Sequence, residues 1–149
     1  MTKVDKSKEY VIAVLAPREK ASYSTIMANV IKSIGVVEYR SDVKHDHFVF
    51  IHDGVTSGST GYLIETLNKI KESALRFEEP RSISYRKLPL DIEMHGKRSH
   101  YHWVDEALKL KPDLLLVFDT GDNPVVEYAQ RAARREGIPV DVYPVRKEK

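Results

Sequence analysis

The sequence has no cysteine among its 149 residues. This absence excludes disulfide bonds, thiolate metal sites, iron–sulfur clusters and cysteine nucleophiles, and it fits a reducing compartment. Long apolar runs are also missing. None approaches the roughly 18 residues that a transmembrane helix needs, and the polar residues 1–9 lack the apolar core of a signal peptide. We therefore expect a cytoplasmic protein without a membrane partner.

A strong excess of one charge sign is the third absence. Lysine and arginine number 24 against 22 aspartates and glutamates, which gives a formal net charge of +2. A strongly basic nucleic-acid-binding protein would show a larger excess or a basic stripe. The balance argues against nucleic acid as the main partner. A nucleic-acid-binding module stays an alternative because basic residues surround the third predicted strand, namely Arg81, Arg86, Lys87, Lys97 and Arg98.

What the sequence does contain is the balance of a globular domain. Hydrophobic residues make up 42% of the chain and charged residues 31%. The length fits one domain over residues 1–149, with a flexible segment at 1–9 and a tail at 146–149. The apolar helix faces leave a homo-oligomer open as a further partner.

Short apolar runs alternate with segments of helical periodicity along the chain. The runs predict strands at residues 10–16, 48–51, 82–88, 113–118 and 138–143. The periodic segments predict helices at residues 22–35, 58–74, 100–110 and 124–136, with Gly35 and Gly137 as stops. Residues 88–99 lack periodicity and predict an irregular loop.

This order of elements predicts an α/β, Rossmann-like fold. We expect a mostly parallel sheet of about five strands with helices on both faces. The carboxyl ends of the strands then meet at one edge, where ligands of open α/β sheets bind. The turns at that edge are therefore the places to look for a site.

The turn after the second strand, residues 53–61, is rich in glycine and hydroxyl groups. Glycine lets the backbone approach a ligand closely, and amides at a helix N-terminus favour anions. The spacing is not the dinucleotide fingerprint, and no Walker lysine follows. The segment is either a phosphate or ribose contact or a plain strand-to-helix turn. Its candidate ligand-binding residues are Asp53, Gly54, Ser57, Gly58, Ser59 and Thr60.

The turn after the fourth strand carries acidic and small polar residues. Pro124 suits the first turn of a helix, and Asp122 or Asn123 suits its cap, so a well-built cap is one interpretation. The other places Asp119 and Glu127 in a site at the same edge as the glycine-rich turn. The candidate ligand-binding residues of this turn are Thr120, Gly121, Asp122 and Asn123.

A third stretch combines two cations with histidines. Lys97 and Arg98 either neutralise a phosphate, Arg98 with two parallel hydrogen bonds, or lie solvated on a loop. His100 and His102, like His45 and His47, are two residues apart, and such pairs share a face only on a strand. We therefore expect no metal site, and nothing in the sequence calls for a cofactor.

Taken together, these stretches resemble the SLOG superfamily. It includes the LOG-type nucleoside monophosphate phosphoribohydrolases, the DNA-processing proteins of natural transformation, and small stand-alone bacterial and phage proteins. The resemblance spans roughly residues 10–145. It rests on FVFIHDGVTSGSTGYLIETL, on Arg98 before a helix and a hydrophobic strand, on DTGDNPVVE in the place of a Pro-Gly-Gly-x-Gly-Thr-x-x-Glu motif, and on the ending REGIPVDVY.

The resemblance implies a Rossmann-like fold that binds a nucleotide or nucleotide-derived ligand. In LOG enzymes the arginine and the motif glutamate act in cleaving the N-glycosidic bond, which would make Arg98 and Glu127, with Asp119, the catalytic candidates here. This chain keeps one motif glycine, Gly121. The leading hypothesis is therefore binding of a nucleotide-like small molecule, and the alternative is an N-glycosidic-bond hydrolase acting on nucleotides.

Overall fold

A computed structural model describes residues 9–17, 21–40, 47–55, 58–76, 82–90, 96–121 and 123–147. Within them, five strands form one sheet in the order β3-β2-β1-β4-β5, and every pairing is parallel. The strands are β1 (Glu9–Leu15), β2 (His47–His52), β3 (Ser82–Lys87), β4 (Leu114–Asp119) and β5 (Val140–Pro144). The predicted α/β, Rossmann-like sheet is confirmed.

Four α-helices lie between the strands in the described part of the chain. They are α1 (Tyr23–Arg40), α2 (Ser59–Arg76), α3 (Ser99–Lys109) and α4 (Val125–Arg135). A short 3-10 helix, Gly96–Arg98, leads directly into α3. None of the helices in these ranges is both long enough and apolar enough to cross a membrane.

The helices cover both faces of the sheet, as the sequence predicts. On β1, Ile12 and Val14 pack in a cluster with α1 and α2, whereas Ala13 and Leu15 pack in a cluster with α3 and α4. Both faces of the central strands are thus buried, which is why β1 and β4 read as unbroken apolar runs. Each fully buried aliphatic or aromatic side chain contributes about 1.5–3 kcal/mol to stability.

The first helix is longer than predicted. Gly35 does not end α1, which continues to Arg40, so the predicted stop is wrong. Glycine inside a helix costs only about 1 kcal/mol relative to alanine, and no proline follows it before Arg40.

The described residues nearest the two ends of the chain form backbone pairings with other segments. Of the segment predicted to be flexible, residues 1–8 lie outside the described ranges. Its last residue, Glu9, is the first residue of β1. In the predicted tail, Lys147 forms an isolated antiparallel bridge with Ala21, and the Ser22 amide donates to the Arg146 carbonyl. Residues 148 and 149 lie outside the described ranges.

The strand order creates a switch point at the carboxyl edge. The chain winds from β1 outward to β2 and β3 on one side, and from β4 outward to β5 on the other. Connections leave the edge in opposite directions at the β1–β4 pair, which opens a crevice between them. The helices α3 and α4, which cover one face of this pair, both start at that edge.

Candidate functional site

The glycine-rich turn after β2 is braced by a buried carboxylate. Asp53, which is 4% exposed, accepts hydrogen bonds at Oδ1 from the Thr60 hydroxyl (2.6 Å) and the Val55 amide (2.9 Å). Thr60 is itself buried. These two predicted ligand-binding residues therefore bond to each other across the turn.

Ser59 joins this turn to the turn that follows β1. Its hydroxyl accepts a hydrogen bond from the Ala21 amide (2.9 Å), and its own amide donates to the Pro17 carbonyl (3.3 Å). The Gly58 amide donates to the Val55 carbonyl (3.1 Å). Among the described residues of this turn, the Gly58 amide and the amide and hydroxyl of Ser59 are thus bonded within the protein. Ser57 lies outside the described residues.

Gly54 is packed beneath a lysine side chain. Its φ of +78° is a left-handed conformation, and a Cβ there would collide with the Lys87 side chain. The Gly54 amide donates to Nδ1 of His52 (3.0 Å). Burial lowers the pKa of His52, nearby Lys87 lowers it further, and Asp53 opposes them.

The turn after β4 is held by its own side chains. Asp119 Oδ1 accepts from the Gly121 amide (2.8 Å), which fixes a turn in which Gly121 takes φ +96°. Asn123 Oδ1 accepts from the Val125 amide (3.1 Å) at the start of α4. Pro124 occupies the N-cap position of α4, so Asn123 bonds the start of the helix from one residue earlier, while Asp122 lies outside the described residues. Thr120 is half-buried beside Asp119.

A cleft of about 660 Å³ opens between α3 and α4. Its lining residues are Arg98, Tyr101, His102, Asp105 and Tyr128. Arg98 lies just before α3, and Tyr101, His102 and Asp105 follow it at helical spacing on one face of α3. Tyr128 comes from the first turn of α4. The cleft therefore starts at the carboxyl edge of the sheet.

Two tyrosines form the aromatic wall of this α3–α4 cleft. The rings of Tyr101 and Tyr128 meet edge to face, with centroids 5.1 Å apart. The Tyr128 hydroxyl donates to Asp105 Oδ1 (2.6 Å), and this bond raises the pKa of Tyr128. The wall is thus tied to the one carboxylate that lines the cleft in the described part of the chain.

The cleft continues as a narrower groove toward the ends of the two helices. This extension has a volume of about 300 Å³ and shares His102 and Asp105 with the cleft. Glu106 lies within ion-pair distance of His102 (3.7 Å) and Lys109 (3.0 Å). The free cation of the main cleft, by contrast, is Arg98, an exposed side chain for which the described residues supply no ion-pair partner.

The structure brings only part of the predicted site together. Arg98 lines the cleft, whereas Asp119 and Glu127 do not. Glu127 is exposed in the first turn of α4, immediately before Tyr128. The backbone of Lys97 belongs to the 3-10 helix beside Arg98.

Sequence reasoning missed four lining residues, Tyr101, His102, Asp105 and Tyr128. The signal for three of them was present, because Tyr101, His102 and Asp105 lie on one side of the helix predicted at residues 100–110, and Arg98 stands three residues before Tyr101. The contact with Tyr128 had no such signal, since that residue follows on a different helix. A strand separates the two helices in the sequence.

The other basic residues predicted around the third strand have separate surroundings, and the histidines form no cluster in the described ranges. Arg86 bonds Glu9 across the sheet (3.3 Å), Lys87 covers Gly54, and Arg81 lies outside the described residues. In the ranges that the structure describes, no group of three or more histidines and carboxylates could hold a metal ion. His45 lies outside those ranges.

Comparisons of the chain with protein-family models, with curated proteins and with solved structures find no match. The resemblance to the SLOG superfamily therefore stays a prediction. The functional argument rests on the cleft itself.

Proposed function

We propose that this protein binds a nucleotide or nucleotide-derived small molecule in the α3–α4 cleft. The observation that carries the proposal is that Arg98, predicted from the sequence to hold an anion, lines the same cleft as Tyr101 and Tyr128. A cation beside an aromatic wall matches a ligand with a phosphate at one end and a flat base at the other.

The chemistry of Arg98 suits the phosphate end of such a ligand. Its planar, positively charged guanidinium offers parallel N–H donors that match two phosphate oxygens. Arg98 also precedes α3, whose N-terminus carries a partial positive charge that favours an anion. Both features act on a negative group at the mouth of the cleft.

The braced turns would support this site rather than contact the ligand. The bonds of Asp53, Thr60 and Ser59 fix the turn between β2 and α2 at the same carboxyl edge of the sheet. A rigid edge lowers the ordering cost of binding, because fewer groups must be immobilised when the ligand arrives.

Calorimetric titration with AMP, ADP-ribose, NAD and cyclic nucleotides tests the proposal. Arg98→Ala should weaken binding of the phosphate-bearing ligands about 10- to 100-fold, because a hydrogen bond to a charged group contributes about 1.5–3 kcal/mol. Arg134→Gln removes an exposed cation from α4 outside the cleft and serves as the matched control. Absence of binding to all four ligands by the wild-type protein would contradict the proposal.

Cleavage of an N-glycosidic bond is the second candidate, and it depends on Glu127. This carboxylate directly precedes Tyr128 but lies outside the lining of the cleft, which places binding ahead of hydrolysis. Release of free base from nucleoside monophosphates, compared between wild type and Glu127→Ala, decides this point. Equal rates in both proteins would remove Glu127 from the reaction.

A further inference from the structure

We infer that Asp105, held in place by Tyr128, recognises the sugar hydroxyls of a ribonucleotide in the α3–α4 cleft. This inference rests on the proposed function and adds a specificity-determining residue to it. It assigns a role to a carboxylate that the sequence motifs do not include.

The geometry of Asp105 fits an acceptor for hydroxyl groups. Oδ1 accepts the Tyr128 hydroxyl at 2.6 Å, and within the described residues Oδ2 has no hydrogen-bond partner. Asp105 is half-buried and lines the cleft. A carboxylate has roughly four lone-pair sites, so one bond to Tyr128 leaves capacity for further hydroxyl donors.

The placement of Asp105 relative to Arg98 also fits. Arg98 ends the 3-10 helix that leads into α3, and Asp105 lies seven positions later, which corresponds to about 10 Å along the helix axis. A phosphate at Arg98 therefore leaves the sugar between the cation and the carboxylate. Asp105 would repel a second phosphate at this depth, which favours a neutral hydroxyl-bearing group there.

Tyr128 is the positioning residue in this arrangement. Its hydroxyl donates a hydrogen bond to Asp105, and its ring packs edge to face against Tyr101 with centroids 5.1 Å apart. In dinucleotide-binding α/β folds an aspartate or glutamate side chain accepts a hydrogen bond from the ribose hydroxyl. A purely structural Asp105–Tyr128 bond would affect stability without distinguishing one sugar from another.

The experiment compares dissociation constants for AMP and 2′,3′-dideoxy-AMP. We expect the wild-type protein to prefer AMP about tenfold or more, since losing hydrogen bonds to a charged acceptor has that effect. Asp105→Asn should abolish the preference while still binding the dideoxy nucleotide. Tyr128→Phe should reduce the preference, and Glu65→Gln, which removes an exposed carboxylate on α2, should leave it unchanged.

The possible failures are distinguishable. Equal wild-type affinity for the two nucleotides, or a preference that survives in Asp105→Asn, overturns the role of Asp105 and leaves the proposed function standing. Failure of the wild-type protein to bind either nucleotide overturns both. Melting temperatures of each variant verify folding, and if Asp105→Asn does not fold, an undiminished preference in Tyr128→Phe overturns the inference.

Discussion

At the scale of single residues, His52 is the last residue of β2, and its ring bonds the backbone of the turn that follows. The ring is 5% exposed, accepts the Gly54 amide at Nδ1, and lies against Tyr85 with ring centroids 5.6 Å apart. Accepting a hydrogen bond at Nδ1 requires the neutral ring in the tautomer with its proton on Nε2. Protonation would therefore remove the acceptor that holds the Gly54 turn.

The lowered pKa of His52 predicts a loss of stability in acid. The unfolded chain takes up a proton near pH 6.5, whereas the folded protein resists protonation until a lower pH. Between these two values the unfolded state binds more protons, so the free energy of unfolding falls as the pH decreases below about 6.5.

Urea denaturation at several pH values between 7.5 and 5 measures this effect. His52→Asn keeps an acceptor for the Gly54 amide but cannot titrate, so its stability should fall less over the same range. An identical pH dependence in wild type and His52→Asn would contradict the assignment to His52.

At the scale of elements, the start of α2 is tied to the preceding turn by the bond between Thr60 and Asp53. Thr60→Val should lower the free energy of unfolding by about 1.5–3 kcal/mol, because it removes one of the two bonds that the buried Asp53 carboxylate accepts. Chemical denaturation of the variant measures the loss.

Thr66→Val is the matched control in the same helix. The Thr66 hydroxyl donates to the Tyr62 carbonyl one turn earlier, so no buried charge depends on it and the expected loss is smaller. If both variants lost the same free energy of unfolding, the Asp53–Thr60 bond would contribute no more than an ordinary hydroxyl-to-carbonyl bond.

The elements also show what the sequence could and could not predict. Strands β1 and β4 were predictable because burial on both faces requires an unbroken apolar run. The end of α1 was not, because Gly35 carries only a small penalty inside a helix. The bond between Asp53 and Thr60 was not predictable either, because the sequence does not show which side chains of a turn bond each other.

At the scale of the whole molecule, substitutions on β4 test whether both faces of the sheet are buried beneath helices. Leu115 and Leu116 are adjacent and fully buried, but they point into opposite clusters. Leu115→Ala and Leu116→Ala should each cost about 2–5 kcal/mol. Ile31→Ala, at a site 54% exposed, should cost about 0.5 kcal/mol or less. If either leucine variant matched Ile31→Ala in denaturation, one face of β4 would be open to solvent.

The strand order has a consequence for how the chain folds. Pairs β1–β2, β2–β3 and β4–β5 join strands that are consecutive in the sequence, whereas β1–β4 joins distant ones. At this seam the Val11 amide bonds the Asp113 carboxylate across a separation of 102 residues. Contacts of such long separation are entropically slow to close, so docking of the two half-sheets sets the folding rate. Because α3 and α4 lie over the seam, the cleft takes shape only when that docking is complete.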